Sequence, residues 1–254
     1  MLEEIVSTVR QAGKTVLSAR DVSARTHEKT SAADLVTEYD VAVENFLREK
    51  LLTLLPEAVF FGEEEAGPAH PEQGWAFIVD PIDGTTNFVR DLRQSAISVA
   101  LARDGAVEYA VVYDPYKDEM FTAQKGKGAF RNGAPIHVSE KPLSEGIFAM
   151  GTALYRREYF APTMRLTEQL FARSCDFRRM GAAALDLCAV ACGRVEAFFE
   201  YSLCPWDYAA GSLLITEAGG AVSTLEGGPL PIVRRCGIWA SNAVNQDVLK
   251  ELEV

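Results

Sequence analysis

The chain has 254 residues, 48% hydrophobic and 24% charged, which suits a soluble globular protein with a sizeable core and one large or two small domains. A net charge of -11 lacks the basic footprint that draws bare nucleic acid or an anionic membrane, so neither is expected as a direct partner. No apolar run reaches the ~18 residues of a membrane span, and Met1-Leu2-Glu3-Glu4 has no leader pattern, so a cytoplasmic location is expected.

Ile5, Val9, Ala12, Val16 and Leu17 recur at helical spacing and predict an amphipathic helix over residues 2–24. The polar stretch Lys29 to Asp40 reads as a loop with a mobile start, Asp34 being a solvated acid and Asp40 an N-cap. Val41, Val43, Phe46, Leu47 and Leu51 predict a second helix ending before Pro56. The apolar run Ala58 to Gly62 delivers Glu63, Glu64 and Glu65, which taken alone are a solvated charge run.

Phe77-Ile78-Val79 predicts a buried strand that stops at Asp80-Pro81-Ile82-Asp83-Gly84-Thr85-Thr86-Asn87-Phe88 and turns into a helix N-terminus. Pro81 fixes the backbone between two acids, and Gly84 lets a ligand approach. The N–H groups after Gly84 can receive an oxyanion. An isolated Asp-Gly-Thr is an ordinary turn; here the combination suits a metal-bound phosphate.

From Ser95 to Phe121, short apolar stretches separated by turn residues predict antiparallel strands, and Gly126-Lys127-Gly128 and Asn132-Gly133 read as hairpin connections. The second half predicts a helix over 160–174, a buried helix over 181–193 and a strand from Val195 to Tyr201. A helix from Trp206 to Ala218, a strand at Ile238-Trp239-Ala240 and a terminal helix over 243–253 follow. Arg178 and Arg179 read equally as a solvated pair or as phosphate contacts. This alternation implies a layered α/β (α+β) arrangement without a linker, in which residues 1–145 and 146–254 form two halves sharing a cleft. Five cysteines without a Cys-x-x-Cys pair and scattered His27, His70 and His137 give no zinc pattern, and Cys188 and Cys192 read as core.

The chemistry-bearing candidates are Glu63, Asp80, Asp83 and Asp207, with the backbone carbonyl of Ile82. Two carboxylates roughly 5 Å apart repel by about 3 kcal/mol at an effective dielectric near ~20, so their convergence demands protons or cations. An all-oxygen set favours magnesium, which keeps waters and seeks substrate phosphate. Thr85 is placed to orient an attacking water, and Glu63 or Asp40 to take its proton.

Gly62-Glu63-Glu64, the Asp80 to Phe88 run, Trp206-Asp207 and Thr216-Glu217-Ala218-Gly219-Gly220 together resemble the inositol monophosphatase family. Asp34-Leu35-Val36-Thr37, Gly126-Lys127-Gly128-Ala129-Phe130 and Gly181-Ala182-Ala183 extend the likeness over nearly the whole chain. The resemblance implies a layered αβαβα sandwich of the sugar-phosphatase type. It implies metal ligation by Glu63, Asp80, Ile82, Asp83 and Asp207, with water positioned by Thr85 and Asp40. Gly84, Thr85 and Thr86 would meet the phosphate and Ala183 and Glu200 the sugar hydroxyls, Asp83 and Asp207 also facing the substrate; Lys29 and Asp34 match a mobile loop.

The implied activity is magnesium-dependent hydrolysis of a small polyol phosphomonoester, myo-inositol monophosphate first, with two or three Mg2+ ions, Mn2+ as a substitute, lithium inhibition and a homodimer. Fructose-1,6-bisphosphatase, histidinol-phosphatase and 3′-phosphoadenosine 5′-phosphate phosphatase activities are alternatives on the same site, and a regulatory protein binding the transcription machinery is the non-enzyme alternative. The chain departs from the family's usual Pro and aromatic after Phe88, carrying polar Arg93 and Gln94 instead.

Overall fold

The computed structural model describes residues 1–31, 34–64 and 71–252, without the side chains of residues 29–31 and 34. The side chains of Lys29 and Asp34, and Glu65 as a whole, therefore lie outside the described residues. Helix α1 (Leu2–Ser18) buries Ile5, Val9, Ala12 and Val16 on one stripe. It stops at Ser18 rather than residue 24, because Ala19 turns extended and Asp21 takes left-handed backbone (φ 53°). Residues expected as a loop instead pair as an antiparallel hairpin, β1 (Thr26–Ser31) with β2 (Asp34–Thr37). Helix α2 (Glu38–Leu54) is capped by Thr37, not by Asp40. The Thr37 hydroxyl accepts from the N–H groups of Tyr39 and Asp40, while Thr37 N–H donates to Asp40 Oδ2 at 2.8 Å, a capping box.

The first large sheet takes β3 (Val59–Gly62), β4 (Trp75–Asp83), β5 (Ala96–Arg103), β6 (Ala106–Asp114), β7 (Glu119–Gln124), β8 (Ala129–Arg131) and β9 (Ala134–Ile136) in that spatial order. Only β3 and β4 are parallel; the other neighbours are antiparallel. A short helix, α3 (Thr85–Val89), leaves the end of β4. The second sheet is built from β10 (Ile147–Met150), β11 (Asp176–Arg178), β12 (Ala197–Leu203), β13 (Ala221–Thr224) and β14 (Cys236–Ser241), in the order β11-β10-β12-β14-β13. Helices α4 (Phe160–Phe171), α5 (Ala183–Ala191) and α6 (Pro205–Glu217) complete the regular structure. The expected terminal helix is two 3-10 turns, Ala243–Asn245 and Val248–Glu251, the first held by the Asn242 side chain accepting from Asn245 N–H.

Strand alternation sorts these elements into layers. On β4, Phe77 and Val79 pack with Val9 of α1 and Leu47 of α2, whereas Ile78 faces Leu187 of α5 and Leu214 of α6. On β12, Phe198 points to the same two helices and Phe199 to Leu166 and Leu170 of α4. The order is therefore helix, sheet, helix, sheet, helix. Lying between two sheets, α5 is buried at every position, which is why its sequence shows almost no polar face.

Candidate metal and phosphate site

Asp80 and Asp83 are three residues apart, so a regular strand would aim them at opposite faces. Here Asp80 pairs with Ser98 and Asp83 with Ala96, which leaves one extra residue on β4: a bulge at Pro81-Ile82. The bulge turns both carboxylates into one cleft, where both are buried. Ile82 N–H donates to Asp80 Oδ1 at 3.0 Å, and the Ile82 carbonyl accepts the Thr85 hydroxyl at 3.2 Å.

Parallel pairing of β3 with β4 brings Glu63 alongside, its N–H donating to the Val79 carbonyl at 3.2 Å. Buried Glu44 of α2 fixes this turn: its Oε2 accepts Glu64 N–H at 2.9 Å, and Arg48, stacked over Phe60, bonds its other oxygen at 3.0 Å. A Cβ on Gly62 would sit 2.4 Å from that same Oε2, so only glycine fits there.

Asp207 arrives from the far half on the first turn of α6, with Pro205 starting the helix. Its Oδ2 accepts Cys204 N–H at 2.6 Å, and the helix start is tied to the first sheet by Ser98 Oγ donating to the Trp206 carbonyl (3.2 Å). Asp83 is held by the start of α5, accepting from Ala183 N–H at 3.1 Å and Ala184 N–H at 2.7 Å. Asn87 links the same two halves through its amide, which donates to the Gln94 (2.8 Å) and Met180 (2.9 Å) carbonyls.

The cleft has a volume of about 390 Å³ and is lined by Glu63, Asp80, Ile82, Asp83 and Asp207, with Gly84, Thr85, Thr86, Ala183 and Glu200 completing the expected set. Asp40 stands behind this wall, fully buried, and reaches the cleft through the Thr85 hydroxyl 3.4 Å from its Oδ1. Ala183 contributes wall rather than a donor, since its N–H is spent on Asp83.

The electrostatics are those of an anionic cluster short of cations. Burial, then the charges of Glu63, Asp83, Asp207 and Asp40, push the Asp80 carboxyl well above the usual range. Burial and then Glu63 and Asp83 raise Asp207 in the same way. Burial lifts Asp83 to about 7 against the pull of the Ala184 and Ala183 N–H groups, and lifts Glu200 to about 7 against Ala153 N–H and Arg179. Among the described residues no three His, Cys, Asp or Glu side chains close as a finished metal cage. Magnesium asks for none, because it retains waters and shares carboxylates with substrate phosphate. The oxygen-only donor set and the clustered acids fit such an ion.

Asp186 and Arg235 of the cleft lining escaped sequence reading, whereas Arg179 is one of the two arginines that read equally as solvated or as phosphate contacts. Asp186 sits inside an apolar helix run, and one of its buried oxygens meets no donor; an acid at the centre of that run was the available signal. The Arg178-Arg179 pair divides, for Arg179 lines the cleft while Arg178 bonds Asp176 and borders a second cavity of about 260 Å³ between β7 and α5. Polar Gln94 ties elements of the first 145 residues together, accepting Asn87 at its carbonyl and Lys117 Nζ (3.2 Å) at its side chain.

The model of the inositol monophosphatase family matches residues 1–253. The chain belongs to the inositol monophosphatase family. Among family relatives, the Nus factor SuhB of Escherichia coli K12 is 39% identical over 230 residues, covering 90% of this chain and 86% of its own. The inositol-1-monophosphatase of Rhizobium meliloti is 39% identical over 236 residues, with 91% and 88% covered. The crystal structure of the Bartonella henselae SuhB protein superposes with a TM-score of 0.91 at 33% identity, covering 98% of this chain and 96% of that one. Both its fold and its layering are thus those of the inositol monophosphatase family.

Proposed function

We propose that the protein is a magnesium-dependent phosphomonoesterase acting on a small polyol phosphate, with myo-inositol monophosphate as its reference substrate. The observation that carries this reading is the meeting of Glu63, Asp80, Asp83 and Asp207, drawn from distant parts of the chain, in one cleft beside Gly84-Thr85-Thr86. Held by those four carboxylates and the Ile82 carbonyl, magnesium supplies charge neutralisation of the phosphoryl oxygens and a more acidic bound water. Thr85 donates its hydroxyl proton toward Ile82 O or Asp40, which leaves its lone pair to accept an O–H of the attacking water and aim it. Glu63 takes the water's proton, and N–H groups of the first turn of α3, which have no intrahelical acceptor, face the phosphate. Glu200 receives polyol hydroxyls.

The name of the Rhizobium relative supports this substrate, and the homodimer remains part of the proposal, to be read by light scattering. Phosphate release from myo-inositol 1-phosphate, fructose 1,6-bisphosphate, histidinol phosphate and 3′-phosphoadenosine 5′-phosphate, with and without magnesium, tests it; no magnesium-dependent release from any of the four overturns it.

A second reading, a regulatory protein docking on the transcription machinery, is favoured by the name Nus factor SuhB on relatives 39% identical to this chain. RNA polymerase retained on the immobilised protein supports it, and a clean pull-down removes it.

A further inference from the structure

α5 begins inside the cleft. The N–H groups of Ala183 and Ala184 in its first turn hold Asp83, and one turn further along the same helix stands Asp186. Residues three apart share a helix face, so Asp186 and Ala183 line the cleft together. Every other residue of α5 is Ala, Leu, Val or Cys, and the helix is buried throughout.

Six other acids among the described residues are buried: Asp40, Glu44, Asp80, Asp83, Asp114 and Glu196. Each accepts at least one backbone N–H, from Thr37, Glu64, Ile82, Ala183, Tyr116 and Ile147 respectively. Asp186 is the exception. It is 1% exposed, Oδ1 is shut off from solvent, and among the described residues its carboxyl makes no hydrogen bond and no ion pair. Burial, then the charges of Asp83 and Glu200, push it well above the usual carboxylate range against the pull of Arg179.

A buried polar group without a partner is rare, and a leucine would fill this place in an apolar helix at no such cost. The group that completes it must come from the cleft. A neutral carboxyl both donates and accepts, as a hydroxyl does, so an alcohol suits it better than a cation. Glu200, on β12, lines the same cleft and commits Oε1 to Ala153 N–H at 2.7 Å, which leaves its other oxygen for a second hydroxyl.

We propose that Asp186 is a specificity residue for the leaving alcohol: its carboxyl takes one ring hydroxyl of the substrate while Glu200 takes another, so that the enzyme selects monophosphates of polyols over those of simple alcohols. This rests on the phosphomonoesterase reading above.

The test uses the full chain with magnesium and two esters built on one ring, myo-inositol 1-phosphate and cyclohexyl phosphate, which lacks the hydroxyls. In Asp186→Ala, kcat/KM for the inositol ester should fall at least ~10-fold more than for the cyclohexyl ester. Asp186→Asn, which keeps the shape together with a donor and an acceptor, should show a smaller selective loss, and it carries the comparison if the alanine variant does not fold. Equal weakening of both esters overturns the assignment, because a packing role or a trapped water would act on both alike. Calorimetric magnesium affinity that falls at least ~10-fold in Asp186→Ala also overturns it, since the carboxyl would then serve the cation. If the wild type hydrolyses neither ester, the phosphomonoesterase reading fails separately. Calorimetric affinities for the same esters then decide: a selective loss of the inositol ester in the variants supports the hydroxyl contact, and an equal loss or none ends it.

Discussion

Asp207→Asn separates the electrostatic cost of the cleft from its use. The side-chain amide keeps an oxygen for Cys204 N–H, now 2.6 Å from Oδ2, so the cap of α6 survives. What is lost is one negative charge in a cleft where burial, then Glu63 and Asp83, already disfavour it. At a separation of roughly 5 Å and an effective dielectric of about 20, one like-charge pair costs about 3 kcal/mol, part of which proton uptake relieves. A net gain of about 1–3 kcal/mol is expected in the metal-free protein. For a chain of this size that raises the thermal midpoint by roughly 2–10 °C.

With magnesium the order reverses. The wild type gains about 2.7 kcal/mol at a ligand concentration ~100 times Kd, and the variant gains little. Phosphate release falls by on the order of 1,000-fold, because several kcal/mol of transition-state stabilisation depend on the ion. Thermal melts of both proteins, metal-free and magnesium-saturated, should cross. A variant less stable than wild type without metal, or one that keeps the full magnesium shift, refutes the view that these acids crowd together to hold a cation.

Three further outcomes follow from the geometry. Gly84→Ala should lose about 2–4 kcal/mol of stability together with most activity. It forces a φ of 85° on alanine and sets a Cβ 3.0 Å from both the Ala182 Cβ and the Gln94 carbonyl; urea unfolding measures the loss. Glu44→Ala, by releasing the Glu64 N–H and Arg48, should cost about 2–4 kcal/mol and lower kcat more than it raises KM, while Glu44→Gln keeps part of both. A pH series of metal-free melts tests the anionic cluster. The folded-state values of Asp80, Asp207 and Asp83 are raised, so their contribution is fully present below the ordinary carboxylate range and is lost as pH rises through the folded values, about 7 for Asp83. The midpoint should fall from pH 5 to pH 8, both values being approximate bounds of that window, and saturating magnesium should flatten the slope.

Sequence reading went furthest where chemistry was local. Glu63, Asp80, Asp83 and Asp207 could be chosen because acids at the mouths of apolar strands and at a helix start are conspicuous, and the fold brings all four to one cleft. Elements carried by hydropathy were legible for the same reason: α2 shows a buried stripe of Val43, Leu47 and Leu51, while β4 and α6 are apolar nearly throughout because each is packed on both sides. The β1–β2 hairpin was not: Thr26 to Ser31 is polar throughout, and its pairing depends on backbone bonds that leave no hydropathy pattern. The role of Asp40 was misread for a related reason. Its position before an apolar run resembles an N-cap, but Thr37 had already capped the helix, which frees one Asp40 oxygen for Thr85.

The arginines show the sharper limit. Arg178 and Arg179 are chemically identical and adjacent, yet strand alternation at the end of β11 sends one to Asp176 and the other into the cleft, and Arg235 is separated from both by 56 residues or more of chain. A charge's partner is fixed by the sheet edge on which it emerges. Sequence alone therefore gives the ions that could act, while topology selects which of them line the cleft.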